Sequence, residues 1–182
     1  MATESDHTLA KESATLAGQL LLLLRDAAKG AQITSETLGE IADKRSHELL
    51  HKIISDVSPN DAILSEEQED NLERLDSDRV WIIDPLDGTR EFEETGRADW
   101  AVHVALAESG IPTVGAVAIP SMGITFCSGD TPTIHKEISE VRVICSRTRP
   151  GPAAQIIAEK LSGRIMHLGS AGAKAMAVVS GD

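Results

Sequence analysis

The chain has 182 residues, with 29 Asp and Glu against 17 Lys and Arg and a formal net charge of −12. That size suits one domain or one domain plus part of another, and the 41% hydrophobic and 25% charged content marks a folding chain. The acidic balance argues against nucleic acid or an anionic membrane as partner, and two cysteines (Cys127 and Cys145, no C-x-x-C) exclude a disulfide scaffold and fit a reducing, cytoplasmic setting.

Leucines and alanines at helical spacing (Leu9, Leu16, Leu20, Leu23, Leu24, Ala27) predict a long amphipathic helix over 8–29, ending at Gly30. The leucine run at 20–24 is too short to span a bilayer, and the first residues lack the basic stretch of a signal peptide. After a polar stretch at 31–39, Ile41, Leu49, Leu50, Ile53, Ile54 and Val57 predict a second helix over 41–57, stopped at Pro59. A short strand at 62–64 leads into Ser65-Glu66-Glu67, and 71–78 reads as a short helix or turn. Residues 80–83 form a continuous apolar run, the mark of a buried strand, which ends at Asp84-Pro85. Strand-like runs at 100–107, 114–119 and 123–127 are joined by turn signals at Ser109-Gly110 and Pro120-Ser121, so they are expected to pair antiparallel. From Val141 the pattern becomes strand 141–145, helix 152–162, strand 164–168 and a helix from about Ala171. The predicted class is α/β. An α+β part over 1–139, with two long helices and an antiparallel sheet, would carry catalysis, and an α/β part over 140–182 would recognise substrate.

The charge is concentrated. Residues 61–99 hold 14 acids and 4 bases, which is most of the net excess. Most charge runs are solvated faces. The order of residues here points elsewhere: Asp84-Pro85-Leu86-Asp87-Gly88-Thr89 puts two aspartates three apart after a buried strand. Pro85 fixes one φ and Gly88 permits a sharp turn, so both carboxylates can reach one crevice. Turn chemistry explains each residue singly but not two acids at that point. Glu66-Glu67 ends another strand in the same way. Carboxylates so close would raise one another's pKa unless cations neutralise them. Magnesium suits all-oxygen ligands, and paired ions suit phosphoryl transfer to water. The spacing differs from the Asp-x-Asp of haloacid-dehalogenase-type phosphatases, so a phospho-aspartate is not expected.

The pair Glu66-Glu67 followed by Asp-Pro-Leu-Asp-Gly-Thr resembles the lithium-sensitive, magnesium-dependent phosphatases of the inositol monophosphatase superfamily. Arg90-Glu91-Phe92 after Gly88-Thr89 resembles its CysQ branch, in particular actinobacterial members, as do Ser146-Arg147 and the run 169–174. The resemblance implies a layered αβαβα sandwich, hydrolysis of the 3′-phosphate of 3′-phosphoadenosine 5′-phosphate to AMP, and a place in sulfate assimilation. It implies two or three Mg2+ ions: Glu66, Asp84 and the Leu86 carbonyl on one, Asp84 and Asp87 on another. It also implies that Thr89, oriented by Asp43, helps deprotonate water, with Glu66 beside them. Gly88, Thr89, Arg90, Ser146, Arg149, Gly169, Ser170 and Lys174 would contact a small phosphorylated nucleotide, the N–H groups at 88–89 and at the glycine turn holding phosphate. Inositol 1-phosphate and fructose 1,6-bisphosphate are the alternative substrates, and a metal- or nucleotide-binding piece without catalysis is the alternative of another class.

His47 and His51, one helical turn apart, read as a solvated pair, His103 as a core or half-buried strand residue, and Trp81 and Trp100 as packing. The family's last metal ligand lies in a Trp-Asp motif that this sequence lacks, so the chain reads as incomplete at its C-terminus. Oligomeric state is not legible.

Overall fold

The computed structural model describes residues 2–70, 72–130 and 140–181. Helix α1 (Glu4–Ala27) starts at a capping box: Thr3 accepts from the Asp6 N–H while the Asp6 carboxylate takes the Thr3 N–H. Its buried face is Leu9, Ala10, Ala14, Ala17 and Leu21, so of the predicted stripe only Leu9 is fully buried. Leu16 and Leu23 are exposed. The small residues let the helix lie close on the sheet, and a Cβ on Gly18 would come within 2.6 Å of Pro120. Helix α2 (Ser35–Val57) begins six residues before the apolar pattern does, because Thr34 caps it through the Thr37 N–H. It buries Ala42, Ser46, Leu50 and Ile54, while Ile41 and Val57 face solvent.

Strands β1 (Ala62–Ser65), β2 (Arg79–Asp87), β3 (Ala101–Glu108), β4 (Ile111–Ile119) and β5 (Ile124–Cys127) form one sheet in chain order. The sheet is mixed, not purely antiparallel: β1 runs parallel to β2, and the other pairs are antiparallel. A 3-10 turn (Glu73–Asp76) lies between β1 and β2. The β3–β4 hairpin turns on Ser109 and Gly110, both at positive φ, the twist-matched geometry for two-residue hairpins. Helices α1 and α2 cover the face carrying Trp81, Ile83, Val102, Val104 and Leu106, which is the main core.

The short helix α3 (Thr89–Glu93) follows β2 and packs on α2. Beyond residue 140, β6 (Arg142–Ser146) and β7 (Arg164–Leu168) pair in parallel around α4 (Pro152–Lys160). Helix α5 (Ala171–Ser180) then lies over Ala101 and Ile119 through Ala173, a second apolar cluster. Since strand side chains alternate, Ala101 and His103 sit on the face opposite Val102 and Val104, so α5 covers the sheet's far side. Among the described residues, no helix is long and apolar enough to cross a membrane.

Candidate metal centre and crevice

Strand β2 does not stop at Asp84; it continues to Asp87 through a bulge. Asp84 stands opposite His103, and Asp87 opposite Ala101, so three steps on β2 match two on β3. In a regular strand, residues three apart point to opposite faces. The extra residue, at Pro85-Leu86, brings both aspartates to one side, as bulges beside functional sites often do. Pro85, which has no N–H to leave unpaired, is buried, and its carbonyl accepts from Ser46 Oγ at 2.8 Å. Oxygens of Asp84 and Asp87 and a ring nitrogen of His103 lie within 4.8 Å of one another.

Because β1 is parallel to β2, the two strands end together. The Glu66 N–H donates to the Ile83 carbonyl at 3.4 Å, which places Glu66 beside Asp84. From the other side α2 contributes Asp43. A cleft of about 820 Å³ is lined by Asp43, Lys44, His47, Glu67, Thr89 and Glu93. Burial, and then the charges of Glu67, Asp84 and Glu66, push the Asp43 carboxyl up to about 7. Burial and the Glu66 charge push Asp84 up to about 6. Asp87 behaves differently. Burial raises it, but His103 and the N–H groups of Gly172 and Ala171 hold it below the usual range. Burial alone would lower the His103 pKa, while the contact with Asp87 and the charges of Asp84 and Glu66 raise it.

These residues fit a divalent cation. The carboxylates and the Leu86 carbonyl offer hard oxygens, burial and then neighbouring charges push Asp43 and Asp84 toward protonation, and Asp43 Oδ1 is buried without a hydrogen-bond partner. Glu66, Asp84, Asp87 and the Leu86 carbonyl are the available ligand groups. The Leu86 carbonyl already accepts from Thr89 Oγ1 at 3.3 Å, and its N–H caps Asp84 Oδ1 at 3.2 Å. The Thr89 hydroxyl is therefore directed to Leu86 here, although it lines the same cleft as Asp43.

The glycine turn at 169–172 is organised differently from the sequence expectation. Gly169 N–H donates to Asp99 Oδ2 at 2.6 Å and Ser170 N–H to the Asp99 carbonyl at 3.1 Å. Ala171 and Gly172 N–H groups donate to Asp87, and Ser170 Oγ caps the Ala173 N–H. Lys174 Nζ donates to the carbonyls of Gly169 and Ser170 at 2.6 and 2.7 Å. The donors of the glycine turn and Lys174 are thus engaged by the protein's own carboxylates and carbonyls here. The glycines serve close approach: a Cβ on Gly169 would overlap the Glu91 carboxyl, and one on Gly88, at φ +91°, would come within 2.9 Å of Ser170 Cβ. Arg90 and Arg149 are exposed, and Ser146 Oγ accepts from the Arg149 N–H at 3.2 Å. Glu91 is buried and paired with Arg147 at 2.7 Å, while Phe92 meets Trp100 edge-on at 5.1 Å.

Two histidines carry more than the sequence suggested. His47 is half-buried, not solvated, and its Nδ1 bonds Ser65 Oγ at 2.8 Å, at the root of Glu66-Glu67. His51 is half-buried as well. His103 enters the carboxylate cluster. No sequence signal marks it, because only the β2–β3 register puts it across from Asp84.

The sequence model of the inositol monophosphatase family matches residues 3–182. The chain belongs to the inositol monophosphatase family. Within that family it is 43% identical to the 3′-phosphoadenosine 5′-phosphate phosphatase of Mycobacterium leprae, over 98% of this chain and 70% of that protein. It is 45% identical to the protein of the same name from Mycobacterium tuberculosis, over 91% of this chain and 64% of that one. The chain thus spans about two thirds of the length of these inositol monophosphatase relatives. Among solved structures, CysQ from Bacteroides thetaiotaomicron superposes with a TM-score of 0.77 at 22% identity, covering 98% of this chain and 77% of that one. SuhB of Mycobacterium tuberculosis superposes at 0.67 with 21% identity, over 96% and 73%. Both structural matches share the mixed α/β fold. The inositol monophosphatase family, to which the sequence model assigns the chain, is metal-dependent.

Proposed function

We propose that this chain carries the catalytic crevice of a magnesium-dependent phosphatase that hydrolyses the 3′-phosphate of 3′-phosphoadenosine 5′-phosphate to AMP, in the service of sulfate assimilation. The observation that carries the reading is the meeting of Asp43, Glu66, Asp84 and Asp87 at one sheet end, in a chain 43% identical to a phosphatase of that name. Residues 1–139 would supply the chemistry, and 140–182 would contribute to nucleotide recognition.

Glu66, Asp84, Asp87 and the Leu86 carbonyl would hold Mg2+. Bound there, the ions would neutralise phosphate charge and lower the pKa of water. Asp43, whose carboxyl burial above all holds above the usual range, is the cleft group that would accept the proton. Thr89, in the same cleft, stands where its hydroxyl can pass that proton by turning from the Leu86 carbonyl. Lys44 adds a positive group to the cleft wall.

Phosphate release with Mg2+, measured on 3′-phosphoadenosine 5′-phosphate, inositol 1-phosphate and fructose 1,6-bisphosphate, tests this. The bisphosphorylated nucleotide is expected to turn over fastest, with inhibition by Li+. Preference for inositol phosphate would overturn the substrate, and Mg2+ binding without release from any of the three would overturn catalysis by this chain.

A further inference from the structure

Asp87 differs from its neighbours in how completely it is bonded. A carboxylate offers about four lone-pair sites. On Asp87, Oδ2 accepts from His103 Nε2 at 2.9 Å and from the Gly172 N–H at 2.7 Å, and Oδ1 accepts from the Ala171 N–H at 3.2 Å. One site remains, on Oδ1, which is the oxygen that would be free for an ion. Its two backbone partners lie 84 and 85 residues away in the chain, on the first turn of α5. That turn carries the positive end of the helix dipole, which a carboxylate stabilises.

His103 is held where it can serve this bond and little else. It stands across the ladder from Asp84, with α5 directly over it. A Cβ on Gly172 would come within 2.6 Å of His103 Nε2 and 2.9 Å of Ala101 Cβ, so no side chain fits between helix and imidazole. An ionised carboxylate only accepts, so Nε2 carries the proton and donates. Asp84 contrasts with this: the bond from the Leu86 N–H opposes burial and the repulsion of Glu66 and Asp87.

We propose that His103 is a positioning residue: by donating to Asp87 Oδ2 it fixes Asp87 as the joint between the five-stranded sheet and the first turn of α5, a structural duty that Asp87 carries whether or not an ion is bound. Asp87 is then both ligand and fastener, and Asp84 is ligand alone. The crevice and α5 are coupled through that one carboxylate.

The test uses the protein in EDTA, without substrate, so its outcome is independent of the phosphatase reading. Asp87→Ala and His103→Leu are expected to lower Tm by about 5–10 °C. They are also expected to speed hydrogen exchange at the Ala171 and Gly172 amides by about tenfold or more. His103→Gln, which keeps an N–H donor, should recover most of the loss. Asp84→Asn should leave the exchange unchanged and Tm equal or higher. Unaltered exchange at Ala171 and Gly172 in folded Asp87→Ala would overturn the proposal. So would His103→Gln behaving as His103→Leu, a comparison that decides the matter if Asp87→Ala does not fold.

Discussion

The two ends of β2 gather acids in opposite ways. At its start, Arg79 draws in three carboxylates: Asp6 at 2.6 Å, Asp61 at 3.1 Å and Glu108 at 3.0 Å. Asp61 also accepts from Trp81 Nε1 at 2.9 Å. This hub ties α1, β2, β3 and the residue just before β1 together and gives each of the three acids a guanidinium partner. At the other end Asp43, Glu66, Glu67 and Asp84 converge with no arginine paired to them among the described residues, and His103 hydrogen-bonds Asp87 instead. An acid cluster that brings its own guanidinium is part of the fold's framework. A cluster that lacks one stays repulsive until something else supplies positive charge, and that makes it a site.

Four experiments sharpen or break this contrast. The largest effect is expected from Asp84→Asn, which should cut phosphate release at least about 100-fold while leaving metal-free folding intact. Turnover within a few-fold of the parent would remove Asp84 from the metal centre. Next, Arg79→Ala should cost about 2–4 kcal/mol in urea unfolding, equally with and without Mg2+, because it strands Asp6 and Asp61. A cost that Mg2+ erases would mean the two ends are not independent.

Third, the ends should respond to pH with opposite sign. Asp84 and Asp43, at about 6 and about 7, lie above the unfolded value of 3.8. In the folded state they hold protons that the unfolded chain has lost. That stability is complete below pH 3.8 and is lost as pH rises through about 6–7. His103, also raised, adds to the same decline. Asp6 is raised by burial but lowered further by Arg79 and Thr3, so its contribution is present above pH 3.8 and lost on acidification. Tm profiles from pH 4 to 8 in EDTA should fall toward pH 8, and Mg2+ should remove that fall. A flat profile in EDTA would contradict the repulsive cluster. The smallest effect is expected from Trp81→Phe, which keeps the buried ring but drops the bond to Asp61. About 1 kcal/mol should be lost in urea, with kcat unchanged.

Much of the fold is legible before folding. The hairpin at Ser109-Gly110, the parallel unit after Val141 and the helix after Ser170 follow from turn residues and periodicity. Helix faces were less legible. A leucine stripe suggests the buried side of α1, yet alanines and Gly18 take most of it beside Leu9 and Leu21, since a small side chain is needed where the helix meets Pro120 just past β4. The first turns of α2 were hidden because Thr34 and Ser35 act through capping, which leaves no apolar pattern. At the site, the acids stand out in sequence because an Asp-x-x-Asp after an apolar strand has no packing explanation. The glycines at 169 and 172 do not declare their purpose, which is room for Glu91 and His103.

By itself the sequence determined the family motif, the concentration of acid in residues 61–99 and the order of elements, since these are local properties of spacing and composition. Tertiary structure alone decided that Asp84 and Asp87 share a face, that His103 joins them, and that Asp87 fastens α5. Each depends on a strand register and a bulge, and register is set by pairing between distant segments rather than by any residue's own preference.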